Sequence, residues 1–232
     1  DGHTIASISE DRTVRVWELP EGRTRQLFTG HSHQMRAIAW LPDNARIVFS
    51  PGDETVIVLD VAEKRVVATC RGHDSLVRAV AISADGGYIL TGSSDRTLRL
   101  FDAANGEMLR TFEGHQGQIN CVAITLDGRI AVTGAQDSTL RTWDMKTGTA
   151  LAVLEGHASF VRAVVIAPGN ARIISGSSDK TVRHWNMGRK LAASRTEPPG
   201  GPVSMLAIST NGRRAVSASM FCCRTASVAK RG

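Results

Sequence analysis

One spacing constrains this 232-residue chain more than any other feature: Gly-His occurs at 30–31, 72–73, 114–115 and 156–157, always 42 residues apart. A second marker keeps the same step, as DRTVRVW at 11–17, DETVIVL at 53–59, DRTLRLF at 95–101, DSTLRTW at 137–143 and DKTVRHW at 179–185. A third precedes it, as IASISED, IVFSPGD, ILTGSSD, AVTGAQD and IISGSSD. Three markers in one register define tandem supersecondary units, each unable to bury its apolar face alone.

Within each period the chemistry is that of short strands. MRAIAWL, VRAVAIS, INCVAIT, VRAVVIA and VSMLAIS are apolar and rich in β-branched residues. TVRVW and TLRLF alternate with period two. Turn signals separate the segments: LPDN, SADGG, TLDG, APGN and STNG before one strand, SSD or AQD before the next. Helical periodicity is absent. Each unit reads as four strands, a to d from the Gly-His onward, which fits one propeller blade of about 40–45 residues.

On Gly-His, Ser-x-Asp and Trp143-Asp144, residues 1–219 resemble the WD40-repeat β-propellers. The resemblance implies an all-β fold of four-stranded antiparallel blades: a remnant at 1–29, full blades at 30–71, 72–113, 114–155 and 156–195, and a partial blade at 199–219. Residues 220–232 form a non-repeat basic tail. Strand a near the C-terminus could complete the N-terminal remnant as a five-blade ring. The favoured reading is an incomplete ring cut from a larger one, with strand edges open at both ends.

Each unit brings together His, Ser or Thr, and Asp, the parts of a nucleophilic triad. The set recurs in unit after unit, whereas catalysis needs one site, so a structural role is expected. The resemblance implies that the Gly-His histidine bonds the Asp of the b–c turn, with a Ser/Thr and the Trp indole completing a buried network. Complete sets are His115, Thr133, Asp137, Trp143 and His157, Ser175, Asp179, Trp185. His73, Thr91 and Asp95 lack the indole, because position 101 is Phe. The second unit keeps His31 and Asp53 but has Phe49 and Leu59, and is expected to be the least stable complete blade.

The repeat breaks where Asp is due and Phe221 stands, right after GRRAVSAS, as an alternative exon, a frameshift or a truncated frame would leave it. The Asp at position 1 likewise reads as the start of a piece. The first residues have no basic n-region and no apolar h-region, unlike a secretory signal. The net charge of +6 is a property of the tail, since Arg213, Arg214, Arg224, Lys230 and Arg231 leave +1 to residues 1–212. Cys70, Cys121, Cys222 and Cys223 form no CxxC, and no Asn-x-Ser/Thr occurs, which favours a reducing intracellular compartment, cytoplasmic or nuclear.

No phosphate-cradling GxxxxGK[ST] and no HExxH occurs. The expectation is a non-enzymatic chain with no cofactor and no metal. In WD40 propellers partners often dock where the d–a loop enters strand a. The positions three after the His are Gln34, Leu76, Gln118 and Phe160; those five after it are Arg36, Arg78, Asn120 and Arg162. The position before the Asp is Glu10, Gly52, Ser94, Gln136 and Ser178. Arginines suit carboxylates and phosphates through bidentate bonds, with Leu76 and Phe160 as apolar anchors. The expected partner is an acidic or phosphorylated peptide of another protein. Copying of the repeat is the alternative source of the three arginines. Arg15, Arg99, Arg141 and Arg183 recur inside strand c and are expected to be exposed. The first expected function is a protein-interaction scaffold. The second is a regulatory module like the propeller arrays that follow NACHT-type domains. The third is nucleic-acid binding through basic face and tail, with a steep salt dependence.

Overall fold

The computed structural model describes residues 3–29, 33–170, 172–187, 194–195, 201–208, 214–219 and 222–227. Gly30, His31, the Pro-Gly pair at 199–200, Arg213, Phe221 and the end of the tail lie outside these. Among the described residues every regular element is a strand. The chain divides into two compact units, 1–113 and 114–232.

The first unit holds three sheets. One has three strands: β1 (Thr4–Ile8), β2 (Val14–Glu18) and β3 (Arg23–Phe28), in that order. The next has four: β4 (Ala37–Trp40), β5 (Arg46–Ser50), β6 (Val56–Asp60) and β7 (Arg65–Cys70). The third is β8 (Val77–Ile82), β9 (Tyr88–Ser93), β10 (Leu98–Asp102) and β11 (Met108–Phe112). The second unit repeats the pattern with β12 (Ile119–Ile124), β13 (Ile130–Ala135), β14 (Leu140–Asp144) and β15 (Ala150–Leu154), then β16 (Val161–Ile166), β17 (Arg172–Ser177), β18 (Val182–Asn186) and a two-residue β19 (Ser194–Arg195). It ends with β20 (Val203–Ile208), β21 (Arg214–Ser219) and β22 (Cys222–Ser227). Every neighbouring pair is antiparallel, as in β13 on β14 with Val132 opposite Thr142.

The turns follow from their residues. In the b–c turn, Asp Oδ1 accepts the backbone N–H of the Thr two residues on, at 3.0 Å for Asp11, 2.8 Å for Asp95, 3.0 Å for Asp137 and 2.8 Å for Asp179. This Asx turn holds the intervening Arg12, Arg96, Ser138 and Lys180 at positive φ, between 65° and 72°.

Cores form between successive sheets within a unit. Leu41, Val56 and Val58 of one sheet meet Val77, Ile89 and Phe101 of the next. In the second unit Cys121, Val132 and Leu140 meet Val161, Ile173 and Trp185. The approach is close: a Cβ at Gly134 would lie 2.5 Å from Val161 Cγ1 and 2.7 Å from Cys121 Sγ, so a side chain there would force the sheets apart.

The second sheet replaces polar groups with apolar ones. Phe49 is 1% exposed and Leu59 6%, packed with Met35, Ile47, Val14 and Val16. The C-terminal residues depart from the sequence pattern. Cys222–Ser227 shows no alternation, yet its backbone pairs along β21 from Ser219↔Cys222 to Arg214↔Ser227. Ladder pairing is a backbone property, and an open edge accepts a segment without regard to its pattern.

Candidate functional site

The recurring polar residues converge in three sheets. His115 Nδ1 lies 2.8 Å from Asp137 Oδ2, and its Nε2 lies 2.7 Å from Thr133 Oγ1. Trp143 Nε1 donates to the same Thr133 oxygen at 2.8 Å. His157, Asp179, Ser175 and Trp185 repeat this at 2.7, 2.8 and 2.8 Å. His73 reaches Asp95 at 2.7 Å and Thr91 at 2.6 Å, with Phe101 in the indole's place. Asp Oδ2 also accepts the backbone N–H of the residue after the histidine, at 3.1, 2.9 and 2.9 Å.

One arrangement of protons satisfies every group where an indole is present: the hydroxyl accepts from Trp and donates to His Nε2, and Nδ1–H donates to the carboxylate. Both ring nitrogens of the histidine are then committed. Burial pushes His157 below the usual imidazole range, with the Asp179 contact opposing. For the carboxyls burial opposes ionisation, but hydrogen bonds outweigh it. Those from Thr181, the Ala158 amide and His157 hold Asp179 at about 2. Asp95 and Asp137 are held well below the usual carboxylate range in the same way. Such groups are poised against protonation, the reverse of a general acid at neutral pH.

Strand-c arginines correct the expectation of exposure. Arg99 is 9% exposed; its Nη1 donates to the Gly72 carbonyl and its Nη2 lies 3.5 Å from Asp74. A Cβ at Gly72, Gly114 or Gly156 would meet Nη1 of Arg99, Arg141 or Arg183 at 2.7, 2.8 and 2.8 Å. These glycines have φ of 135°, 144° and 146°, so the backbone demands glycine, while the guanidinium ends beside them could shift aside. Alternation puts these arginines on the outward side of the strand, and the Gly-His turn lies over that side.

The residues assigned to partner binding gather at one end of each blade. The carbonyls of Leu76, Gln118 and Phe160 accept the N–H of Ser94, Gln136 and Ser178 at 2.8, 2.9 and 2.9 Å. Arg78, Asn120 and Arg162 each fall in a β-bulge. Pairing jumps from Val77↔Ser93 to Ala79↔Gly92, from Ile119↔Ala135 to Cys121↔Gly134, and from Val161↔Ser177 to Ala163↔Gly176. A bulge re-aims the extra residue. Arg162 Nε donates to Ser178 Oγ at 2.9 Å, and its guanidinium lies 5.6 Å from the Phe160 ring centroid. Arg78 Nη1 reaches Ser94 Oγ at 3.5 Å. Leu76 and Phe160 are 38% and 40% exposed, which leaves apolar surface beside each arginine.

Not every assigned residue is turned outward. Asn120 is half-buried, and its amide donates to the Val161 carbonyl of the next sheet at 2.9 Å, a link between blades. Gln118 Oε1 accepts from Gln136 at 3.2 Å. In the second sheet Gln34 and Arg36 are exposed, and Gly52 lies against the Gln34 carbonyl. The bulges are what sequence reasoning missed; Val-Arg-Ala at 77–79 and 161–163 reads as ordinary strand alternation, so no signal in the sequence marks them. Among the described residues no group of three or more His, Cys, Asp or Glu could hold a metal ion, and no helix is long and apolar enough to cross a membrane.

The profile of the WD domain, G-beta repeat matches residues 64–102, 106–144 and 148–186, together half of the chain. Each match runs from a strand d through the next strand c. Among curated proteins, human Coronin-7 is 40% identical over 45 residues, 19% of this chain and 5% of its own. The WD repeat-containing protein WDS homolog of Arabidopsis thaliana is 36% identical over 53 residues, 23% and 10%. The WD repeat-containing protein pop1 of Schizosaccharomyces pombe is 44% identical over 43 residues, 18% and 6%. The matched segments span a tenth or less of each relative's length.

Proposed function

This chain belongs to the WD domain, G-beta repeat family, and on that premise we propose that it is a non-enzymatic scaffold whose blade ends bind acidic or phosphorylated peptides of other proteins. The observation that carries this is the Phe160–Arg162–Ser178 cluster. A serine hydroxyl and an aromatic face hold one arginine, at a bulge, beside exposed apolar surface. Leu76, Arg78 and Ser94 carry the same chemistry at the equivalent positions of another blade. An oriented guanidinium loses less entropy on pairing with a planar anion, and the apolar neighbour excludes water from the pair.

The test uses a fluorescein-labelled decapeptide centred on phosphoserine and flanked by glutamates, with an all-serine version as control. Charge reversal of Arg36, Arg78 and Arg162 together, read by anisotropy, is expected to weaken binding of the acidic peptide by about 30-fold or more, on the order of 2–5 kcal/mol. Far-ultraviolet circular dichroism checks that the variant folds. Equal affinity of wild type and variant, or no preference for the acidic peptide over its control, overturns the proposal.

A further inference from the structure

The strand-c arginine is closed off in one complete repeat and left open in the next. Around Arg99 every nitrogen of the guanidinium has a neighbour. Nε donates to Thr97 Oγ1 at 3.3 Å, Nη1 donates to the Gly72 carbonyl and lies 3.6 Å from Met108 Sδ, and Nη2 lies 3.5 Å from Asp74 and 3.8 Å from Asp95. Asp74 follows the Gly-His histidine, and Met108 begins β11. Together they give the guanidinium a counter-charge and an apolar neighbour. Asp74 is 87% exposed at its side chain, so its carboxylate reaches Arg99 from the solvent side.

Arg141 holds the same position of the following repeat without that cover. Gln116 stands where Asp74 stands, and Ala150 where Met108 stands. Gln116 is turned to the backbone, its Nε2 donating to the Gly114 carbonyl at 3.1 Å. Arg141 Nε is buried with no hydrogen-bond partner. Among the described residues no carboxylate forms an ion pair with Arg141. Val153, opposite Arg141 in the ladder, is 43% exposed, and Leu151 is 51% exposed. A half-buried cation without a counter-charge carries a desolvation cost that an arriving carboxylate offsets. The closed repeat displays the chemistry that the open one lacks.

We propose that Arg141, with Leu151 and Val153 beside it, is a binding site for a carboxylate side chain next to a long aliphatic one, presented by another protein. The carboxylate takes the place that Asp74 holds in the preceding repeat and pairs with the guanidinium. The aliphatic side chain takes the place of Met108 and covers Leu151 and Val153. Covering that surface excludes water from the ion pair, which strengthens it relative to a fully exposed one. The site shares no residue with Phe160, Arg162 and Ser178, so either proposal can fail without the other.

The probe is a synthetic peptide, GSLMEMLSG, with a control that carries glutamine in place of its glutamate, added to the 232-residue chain. Both proposals name acidic ligands, so the readout is local: the methyl NMR resonances of Leu151 and Val153 follow the titration, and the Arg141 Nε–H resonance reports the ion pair. All three are expected to shift with the glutamate peptide, and the Nε–H to stay in place with the control. Arg141→Gln is expected to weaken binding by about fivefold, the upper end for an ion pair partly open to water. Gln116→Asp supplies the carboxylate from within, as Asp74 does, and is expected to weaken binding by a similar factor while the guanidinium stays in place. An unchanged Trp143 indole resonance checks that each variant keeps its fold. Methyl resonances that ignore the peptide, an equal response to the control, or unchanged affinity in both variants overturns the proposal. Shifts confined to residues 160–178 overturn it and leave the blade-end proposal standing.

Discussion

Thr133→Val isolates what the buried network contributes, because valine keeps the shape and removes only the hydroxyl. Thr133 Oγ1 serves two partners, the Trp143 indole at 2.8 Å and His115 Nε2 at 2.7 Å. Trp143 is 1% exposed and His115 4%, so water cannot replace the lost oxygen without opening the sheet. Each buried group left unpaired costs about 1–3 kcal/mol, so the substitution should cost about 2–5 kcal/mol. Thr91→Val is the internal control. Its hydroxyl faces His73 Nε2 at 2.6 Å, and Phe101 supplies no indole donor, so one group is orphaned and the cost is about 1–3 kcal/mol. Native-state hydrogen exchange reads both locally, on the amides of β13–β14 and of β9–β10, without assuming two-state unfolding of the whole chain. Combining Thr133→Val with Trp143→Phe removes the orphaned donor, so the pair should cost about 1 kcal/mol less than the sum of the singles. Equal losses of protection for Thr133→Val and Thr91→Val, within about 0.3 kcal/mol, would refute the reasoning that the Trp143 indole depends on the Thr133 hydroxyl.

Two further outcomes follow from the geometry. Gly114→Ala should destabilise β12–β15 by about 2 kcal/mol or more, since its φ of 144° lies in a region that L residues rarely adopt. Gly128→Ala, with φ of 68° and open space, should cost only about 1 kcal/mol by chemical denaturation. The β16–β19 sheet should lose stability on acidification in two steps, read by the Trp185 indole resonance. His157 sits below its ordinary 6.5, so its contribution is complete above that pH and fades below it. Asp179 sits at about 2 against an ordinary 3.8, so its contribution is lost between those values. A sheet unchanged from pH 7 down to pH 3 would contradict the first step.

The strands and turns were legible because each marker is itself a local instruction. An Asp two residues before Thr makes its Asx turn wherever it occurs, and alternation defines the strand that follows. Orientation beyond the sheet was not legible. Period two says that Arg99, Arg141 and Arg183 point away from the core side; it cannot say that a glycine turn lies over them. The bulges at Arg78, Asn120 and Arg162 were equally hidden, since bulging depends on the partner strand's register. Asn120 resembled its arginine counterparts by position alone, and the structure spends its amide on Val161. Counting lost hydrogen bonds also leaves out what stands in their place in the second sheet. Phe49 and Leu59 fill the space that the polar groups occupy elsewhere, and well-packed apolar replacements of buried polar sets are often neutral.

That second sheet carries a lesson about how such repeats diverge. Phe49, Ile57 and Leu59 stand where other repeats have Ser or Thr, Arg, and Trp or Phe. The indole is the end of the network and can go alone: Phe101 replaces it while His73, Thr91 and Asp95 keep their bonds. The hydroxyl is different, since one oxygen serves indole and histidine together. A duplicated repeat can shed the outer donor by a single substitution, but losing the shared oxygen strands two buried groups at once.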